Sequence, residues 1–191
     1  MPIQVDVTQR RADIAEATFR VAARKGIGGV TIRSVATELG ASTTIITNYL
    51  PTRADLLANA LDLVAGEWIA ELDAVGADLE PEAALREVMR AAVSWDERER
   101  IRNQFWVAVL SEPNRPQAVT DQLRAESDTV RGRLAKFVEH CGHPDPALAA
   151  DQLFLFAQGV FVSMVETPQR WSPARLVVAA DAIVDGVLGA C

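Results

Sequence analysis

Apolar residues recur along this chain with the spacing of one helix face at almost every point. No stretch alternates apolar and polar residues between turn signals, as a half-buried strand would. The pattern predicts an all-α protein of about nine helices. The first begins near Thr8 and places Ile14, Ala17, Val21 and Ala22 on one face. It stops in the run Gly26-Ile-Gly-Gly29, where glycine supplies the left-handed conformation that closes helices. Thr31 is the next candidate N-cap, opening a short helix with Ile32, Val35, Ala36 and Leu39 at i, i+3, i+4 and i+7, closed by Gly40. Ser42 caps a third short helix. Pro51 ends it, because the residue before a proline is pushed out of the helical region.

Longer amphipathic elements follow. One runs from about Arg53 to Val75 and buries Leu57, Leu61, Val64 and Trp68; Pro81 starts another through Leu85, Val88, Met89 and Ala92. The polar run Asp96-Glu-Arg-Glu-Arg100, a solvated helix start, leads into Phe105, Trp106, Val109 and Leu110, interrupted at Pro113 and Pro116. A long helix with Leu123, Val130, Leu134, Phe137 and Val138 ends near Gly142-His-Pro144, and two apolar helices, roughly 146–166 and 173–189, close the chain. No internal repeat, low-complexity tract or long linker interrupts the order.

Composition adds limits. With 191 residues, 49% hydrophobic and 24% charged, the chain falls in the globular range. No uninterrupted apolar run approaches the ~20 residues of a membrane span, and MPIQVDVTQRR lacks a secretory apolar segment. These points lead us to expect a cytoplasmic protein with no membrane partner. Two cysteines, Cys141 and Cys191, fit a reducing compartment without requiring a disulfide. The net charge of -7, taken alone, argues against a polyanion partner, but it is unevenly distributed: residues 1–57 carry +2 and residues 58–191 carry -9. Positive charge gathers at the N-terminal end, where a small DNA-binding module could use it.

Residues 31–50 hold the most specific pattern. Two short helices joined by a turn of about three residues around Gly40 meet the needs of a helix-turn-helix. Ala36 is small enough for close helix approach, Gly40 can take a positive φ, and Ile46 can lock the second helix onto the first. The exposed face of that second helix is unusual. Thr43, Thr44, Thr47 and Asn48 are short, uncharged and capable of hydrogen bonding, where a merely solvated helix more often shows Glu and Lys. Such side chains suit close approach to base edges and phosphates in a major groove.

Through TQRRADIAEATFRVAARKG, VTIRSVATELGAS and TTIITNYLPTRADLL, the stretch Thr8–Leu57 resembles the TetR-type transcriptional regulators. The resemblance covers about a third of the chain; beyond it, helix count and the two apolar terminal helices agree. It implies a three-helix DNA-binding domain over 1–52 and a helical effector-binding and dimerisation domain over 53–191. Carried over by position, Arg33 can reach a base or phosphate, while Thr43, Thr44 and Ile45, just after the cap Ser42, sit where the family reads base edges. Thr47, Tyr49 and Arg53 occupy positions that in the family usually touch phosphates, and Asn48 completes the DNA-facing set. Thr47 stands where the family usually has Tyr, Leu50 where it has an aromatic, and Arg53 where it has Lys. Ile45 fits either a thymine methyl or a buried packing role.

Aromatic residues at helical spacing are ordinarily core, and each of Trp68, Trp95, Trp106 and Trp171 can be read so. The resemblance implies an effector cavity, for which Trp68, Met89, Phe105, Trp106 and Gln152 are the candidate walls and a hydrophobic small molecule the candidate ligand. The last two helices are apolar around most of their circumference, more than a chain of this size can cover. Self-association as a homodimer, with Phe154, Gln158, Phe161, Ile183 and Val187 as candidate interface residues, accounts for the surplus. His140-Cys141-Gly-His143 invites a metal reading, but no fourth ligand is evident, so no metal or other cofactor is expected. Nor does a nucleophile or phosphate-loop signature point to an enzyme. The expected function is a sequence-specific repressor released from a palindromic operator by a small molecule; the alternative is a small helical enzyme or carrier for an apolar substrate.

Overall fold

The computed structural model describes residues 7–75, 79–94 and 97–189. Among them there are nine α-helices and no strand: α1 (Val7–Lys25), α2 (Ile32–Leu39), α3 (Thr43–Thr47), α4 (Arg53–Val75), α5 (Pro81–Ala92), α6 (Glu97–Leu110), α7 (Gln117–His140), α8 (Pro146–Glu166) and α9 (Pro173–Leu188). Short 3-10 turns lie at Ile27–Gly29 and Pro168–Arg170. Trp95, Asp96 and Cys191 lie outside the described residues.

Local chemistry sets the helix ends. The Thr31 hydroxyl accepts from the Ser34 amide at 3.0 Å while the Ser34 hydroxyl accepts from the Thr31 amide at 2.9 Å, a reciprocal cap that opens α2. Gly40 closes α2 in the left-handed region, at φ 67°, and the Ala41 amide reaches back to the Ala36 carbonyl at 2.9 Å. Of the glycines expected to end α1, Gly26 takes a positive φ, 70°. Gly29 is needed for another reason: a Cβ there would lie 2.4 Å from the Lys25 Cβ. Thr52 and Asp55 cap α4, the Thr52 amide donating to the Asp55 carboxylate at 2.8 Å and the Asp55 amide to the Thr52 hydroxyl at 3.1 Å. Asp145 and Ser172 cap α8 and α9, each followed by proline at the first helical position, where no intrahelical amide bond is lost.

The chain forms two compact units, Met1–Gly66 with Ile101–Leu123, and Glu67–Arg100 with Arg124–Cys191. A boundary at 52/53 therefore does not follow compactness. The reason is α4, whose Leu56, Leu57, Ala60 and Leu61 are buried in the first unit's core with Ile14, Phe19, Val35 and Ile46. Phe105 joins them, its ring edge-on to Phe19 at 5.1 Å. Arg102, buried in the same unit, lies over the Phe19 ring and bonds Glu16 at 2.9 Å, which gives its charge both a partner and an aromatic face. Asn59 exchanges two hydrogen bonds with Arg11, tying α1 to α4.

The second unit's core holds Leu85, Val88 and Met89 of α5, Leu134 and Val138 of α7, Leu153 and Val160 of α8, and Leu176, Ala180 and Val184 of α9. Arg90 grips Asp181 with both carboxylate oxygens engaged, at 2.8 and 2.9 Å, and Arg133 holds Asp73 the same way. On length and mean hydropathy, 1.6, α8 passes as a membrane-crossing helix. An uninterrupted-run criterion misses it because Asp151, Gln152 and Gln158 break the run. Asp151 is paired with Arg131 at 2.6 Å, and Ala149, Ala150, Leu153 and Val160 are buried in the unit's own core.

Candidate nucleic-acid interface

The helix-turn-helix is α2, the Gly40 turn and α3. Val35 and Ala36 of α2 and Ile46 of α3 are fully or almost fully buried, so the second helix is anchored through one large side chain. Around that anchor the expected face is turned to solvent: Ser42, Thr43, Thr44, Ile45, Thr47 and Asn48 are all exposed, as is Arg33 of α2. Ile45, for which a packing role was equally open, is 40% exposed beside a fully buried Ile46, and its side chain belongs to the outer face. Tyr49 is half-buried and packs against the first unit's core.

The third helix is shorter than expected. Its α-helical part spans Thr43–Thr47, and Asn48 and Tyr49 continue as a tightened turn in which the Tyr49 amide donates to the Ile46 carbonyl at 3.0 Å. Leu50 precedes proline, which bars a further helical residue. Two hydroxyls of the face have local partners. Ser42 Oγ accepts from the Ile45 amide at 3.3 Å as the N-cap, and Thr47 Oγ1 donates to the Thr44 carbonyl at 3.3 Å. Each retains hydrogen-bonding capacity for an outside group. Thr43, Thr44, Ile45, Thr47 and Asn48 carry no charge, so this face can discriminate by hydrogen bonding and methyl contact rather than by attraction to the backbone.

Arg53, expected among the phosphate-contacting residues, is bonded within its own chain. Nε donates to the Val30 carbonyl at 3.0 Å, and Nη2 donates to the Ile27 carbonyl at 3.0 Å and to Glu112 at 2.7 Å. Its guanidinium is engaged by its own chain. Sequence reasoning did not single out Glu112, 59 positions away, and no local pattern marks it.

The candidate effector residues divide between the two units. Met89 is buried in the second core, with Trp68 packed half-buried against it and Gln152 exposed; Phe105 is buried in the first core, with Trp106 half-buried beside it. A shallow depression of about 300 Å³, lined by Val75, Glu87, Arg90, Ala91, Ser94 and Val177, includes none of the five. Burial raises the Cys141 thiol pKa, with the charge of Glu82 adding to the rise. His143 Nδ1 accepts from the Asp145 amide at 3.0 Å, and among the described residues no three ligating side chains gather.

The candidate interface residues of the terminal helices differ in exposure, and Val187 is the one that faces inward. Val187 is buried in its own unit's core, and Phe154, Gln158, Phe161 and Ile183 are half-buried. Exposed apolar side chains are instead Leu148, Leu155 and Val162 on α8, with Gln152 and Gly159 between them at alternating steps of four and three, and Val178 on α9.

An all-α chain that presents a short, uncharged, hydroxyl-rich helix from a helix-turn-helix defines a helix-turn-helix transcriptional regulator. Residues 81–189 match the C-terminal domain of BetI-type transcriptional repressors, and the chain belongs to the TetR family. It is 25% identical over 184 residues to the HTH-type transcriptional regulator PksA of Bacillus subtilis (strain 168), covering 92% of this chain and 88% of that one. Its fold is similar to that of a transcriptional regulator from Rhodococcus sp. Rha1, with a TM-score of 0.85, 23% identity and coverage of 94% and 96% of the two chains. SmeT, solved as a triclosan complex, is similar at a TM-score of 0.77, with 20% identity and coverage of 95% and 91%. The family is one of transcriptional regulators, and the protein is a DNA-binding regulator rather than an enzyme.

Proposed function

We propose that this regulator is a cytoplasmic homodimeric repressor that reads a palindromic operator through α3 and is released by a hydrophobic small molecule. The observation that carries the DNA reading is the inside-out split of α3, with Ile46 fully buried and every other residue of Thr43–Thr47 exposed. Arg33, Thr43, Thr44 and Ile45 are the proposed base-edge group; Thr47, Asn48 and Tyr49 are the proposed backbone group. Two copies placed about one helical turn apart would enter successive major grooves.

Pairing is supported by the exposed stripe of α8 and Val178 of α9, which together leave large apolar side chains in water. Release is supported by the family and by a structural neighbour that binds triclosan. An effector acts by preferring the recognition-helix separation that DNA does not, and the coupling is reciprocal.

The test is selection from random duplexes followed by anisotropy at two salt concentrations. A palindromic winner bound at least ~1,000-fold tighter than an unrelated duplex, and weakening as salt rises, is expected. Equal, weak binding to both would overturn the reading.

A further inference from the structure

We propose that Arg53 is a positioning residue rather than a phosphate ligand, and that Glu112 holds it in that role. Arg53 is the first residue of α4, yet its guanidinium is directed into the first compact unit. It joins the carbonyls of Ile27 and Val30, at the turn between α1 and α2, to the Glu112 carboxylate just beyond α6. Ile27 and Val30 belong to one turn, since the Val30 amide also donates to the Ile27 carbonyl at 3.2 Å. The bonds thus fix where the helix-turn-helix begins relative to the start of α4.

The choice of arginine follows from this geometry. Nε and Nη2 lie on one edge of a rigid plane and reach two fixed carbonyls and a carboxylate together, whereas lysine offers a point charge on a flexible stem. Glu112 is 15% exposed, and its Oε2 is buried without a hydrogen-bond partner among the described residues, so Arg53 is its counter-charge. Removing either group strands the other. An arginine already neutralised by a carboxylate at 2.7 Å also has little charge left to displace counter-ions from DNA.

The DNA arm of the test rests on the operator reading above; the strut itself rests on geometry. Four variants, R53K, R53Q, E112Q and the R53Q/E112Q double, are compared in melting without DNA and in anisotropy on the duplex selected by the wild-type chain, at a temperature where all are folded. R53Q and E112Q should each lower the melting temperature by about 3–6 °C, with the double variant no lower than the worse single one. R53K should resemble R53Q. Each variant should bind the duplex about tenfold more weakly with an unchanged slope of log K against log salt, which a stability defect alone would not produce in folded protein.

The proposal is overturned if R53K keeps wild-type melting and affinity, if R53Q lowers the slope by about one per subunit, or if E112Q tightens binding. Should the wild-type chain select no duplex, the operator reading fails, and the melting cycle still decides the strut: additive or absent shifts reject it.

Discussion

Two exposed faces of this molecule differ in kind. That of α3 is short, uncharged and hydroxyl-bearing, while that of α8 carries Leu148, Leu155 and Val162 in water, with Gln152 between them and Glu166 at its end as polar relief. Both break the usual rule for a solvated helix, which fills its outer face with Glu and Lys. Under the proposed function each uncharged face meets a partner, and the residue types suit different ones. Hydroxyls, an amide and one methyl-rich side chain suit base edges; branched aliphatics in a stripe suit another such stripe.

The comparison can be broken at its anchors. Ile46→Ala removes the large side chain that seats α3 and should cost about 2–5 kcal/mol, read by chemical denaturation, with operator binding lost as the helix comes loose. Full stability in that variant would mean that α3 is held by something else. Leu155→Arg puts a charge on a side chain that is 67% exposed, so the folded subunit should be unaffected, while self-association weakens about 100-fold by sedimentation. An unchanged sedimentation profile would remove the stripe from the interface. Thr44→Ala should cost about 1 kcal/mol of operator affinity, roughly fivefold, with melting unchanged. Equal affinity would move base reading to other residues.

Acid should have the smallest effect and separate the two compact units. Hydrogen bonds from Arg133 hold the Asp73 pKa below its ordinary value, and those from Arg90 do the same for Asp181. Their stabilisation is complete above the unfolded value, near 3.8, and is lost as pH falls through the lower folded value. Asp62 of the first unit is shifted the other way, its pKa raised by burial against the opposing pull of Arg11. Its contribution is unfavourable while ionised and is relieved as pH falls through the raised value. Hydrogen exchange below about pH 4 should therefore show α5, α9 and the end of α4 that carries Asp73 losing protection before residues 53–66 of α4, which belong to the first unit, do. The reverse order would show that these bridges are not what holds the second unit.

The sequence made the helix-turn-helix legible because its determinants are local. Thr31, Gly40, Ser42 and Pro51 each act within a few residues, and the structure puts Thr31 and Ser42 at N-caps and Gly40 at a C-cap. Phasing of α8 was not legible. On a helix apolar nearly all round, periodicity no longer distinguishes the side facing the core, and it marks half-buried Phe154 and Phe161 no differently from exposed Leu155 and Val162. The placement of Arg53 was beyond any window, since it depends on Glu112 and on two carbonyls before α2. The resemblance likewise implies a domain ending at 52, whereas the first core draws on α4 and on Phe105 and Val109 of α6.

That α3 has one buried residue in its five bears on how such a protein changes over generations. Under the proposed function, substitutions at the exposed Thr43, Thr44, Ile45 or Thr47 would alter what the chain recognises while leaving the packing of the fold almost untouched. A duplicated copy could therefore drift to a new target site in a few steps, each viable, while its sensing half is selected separately.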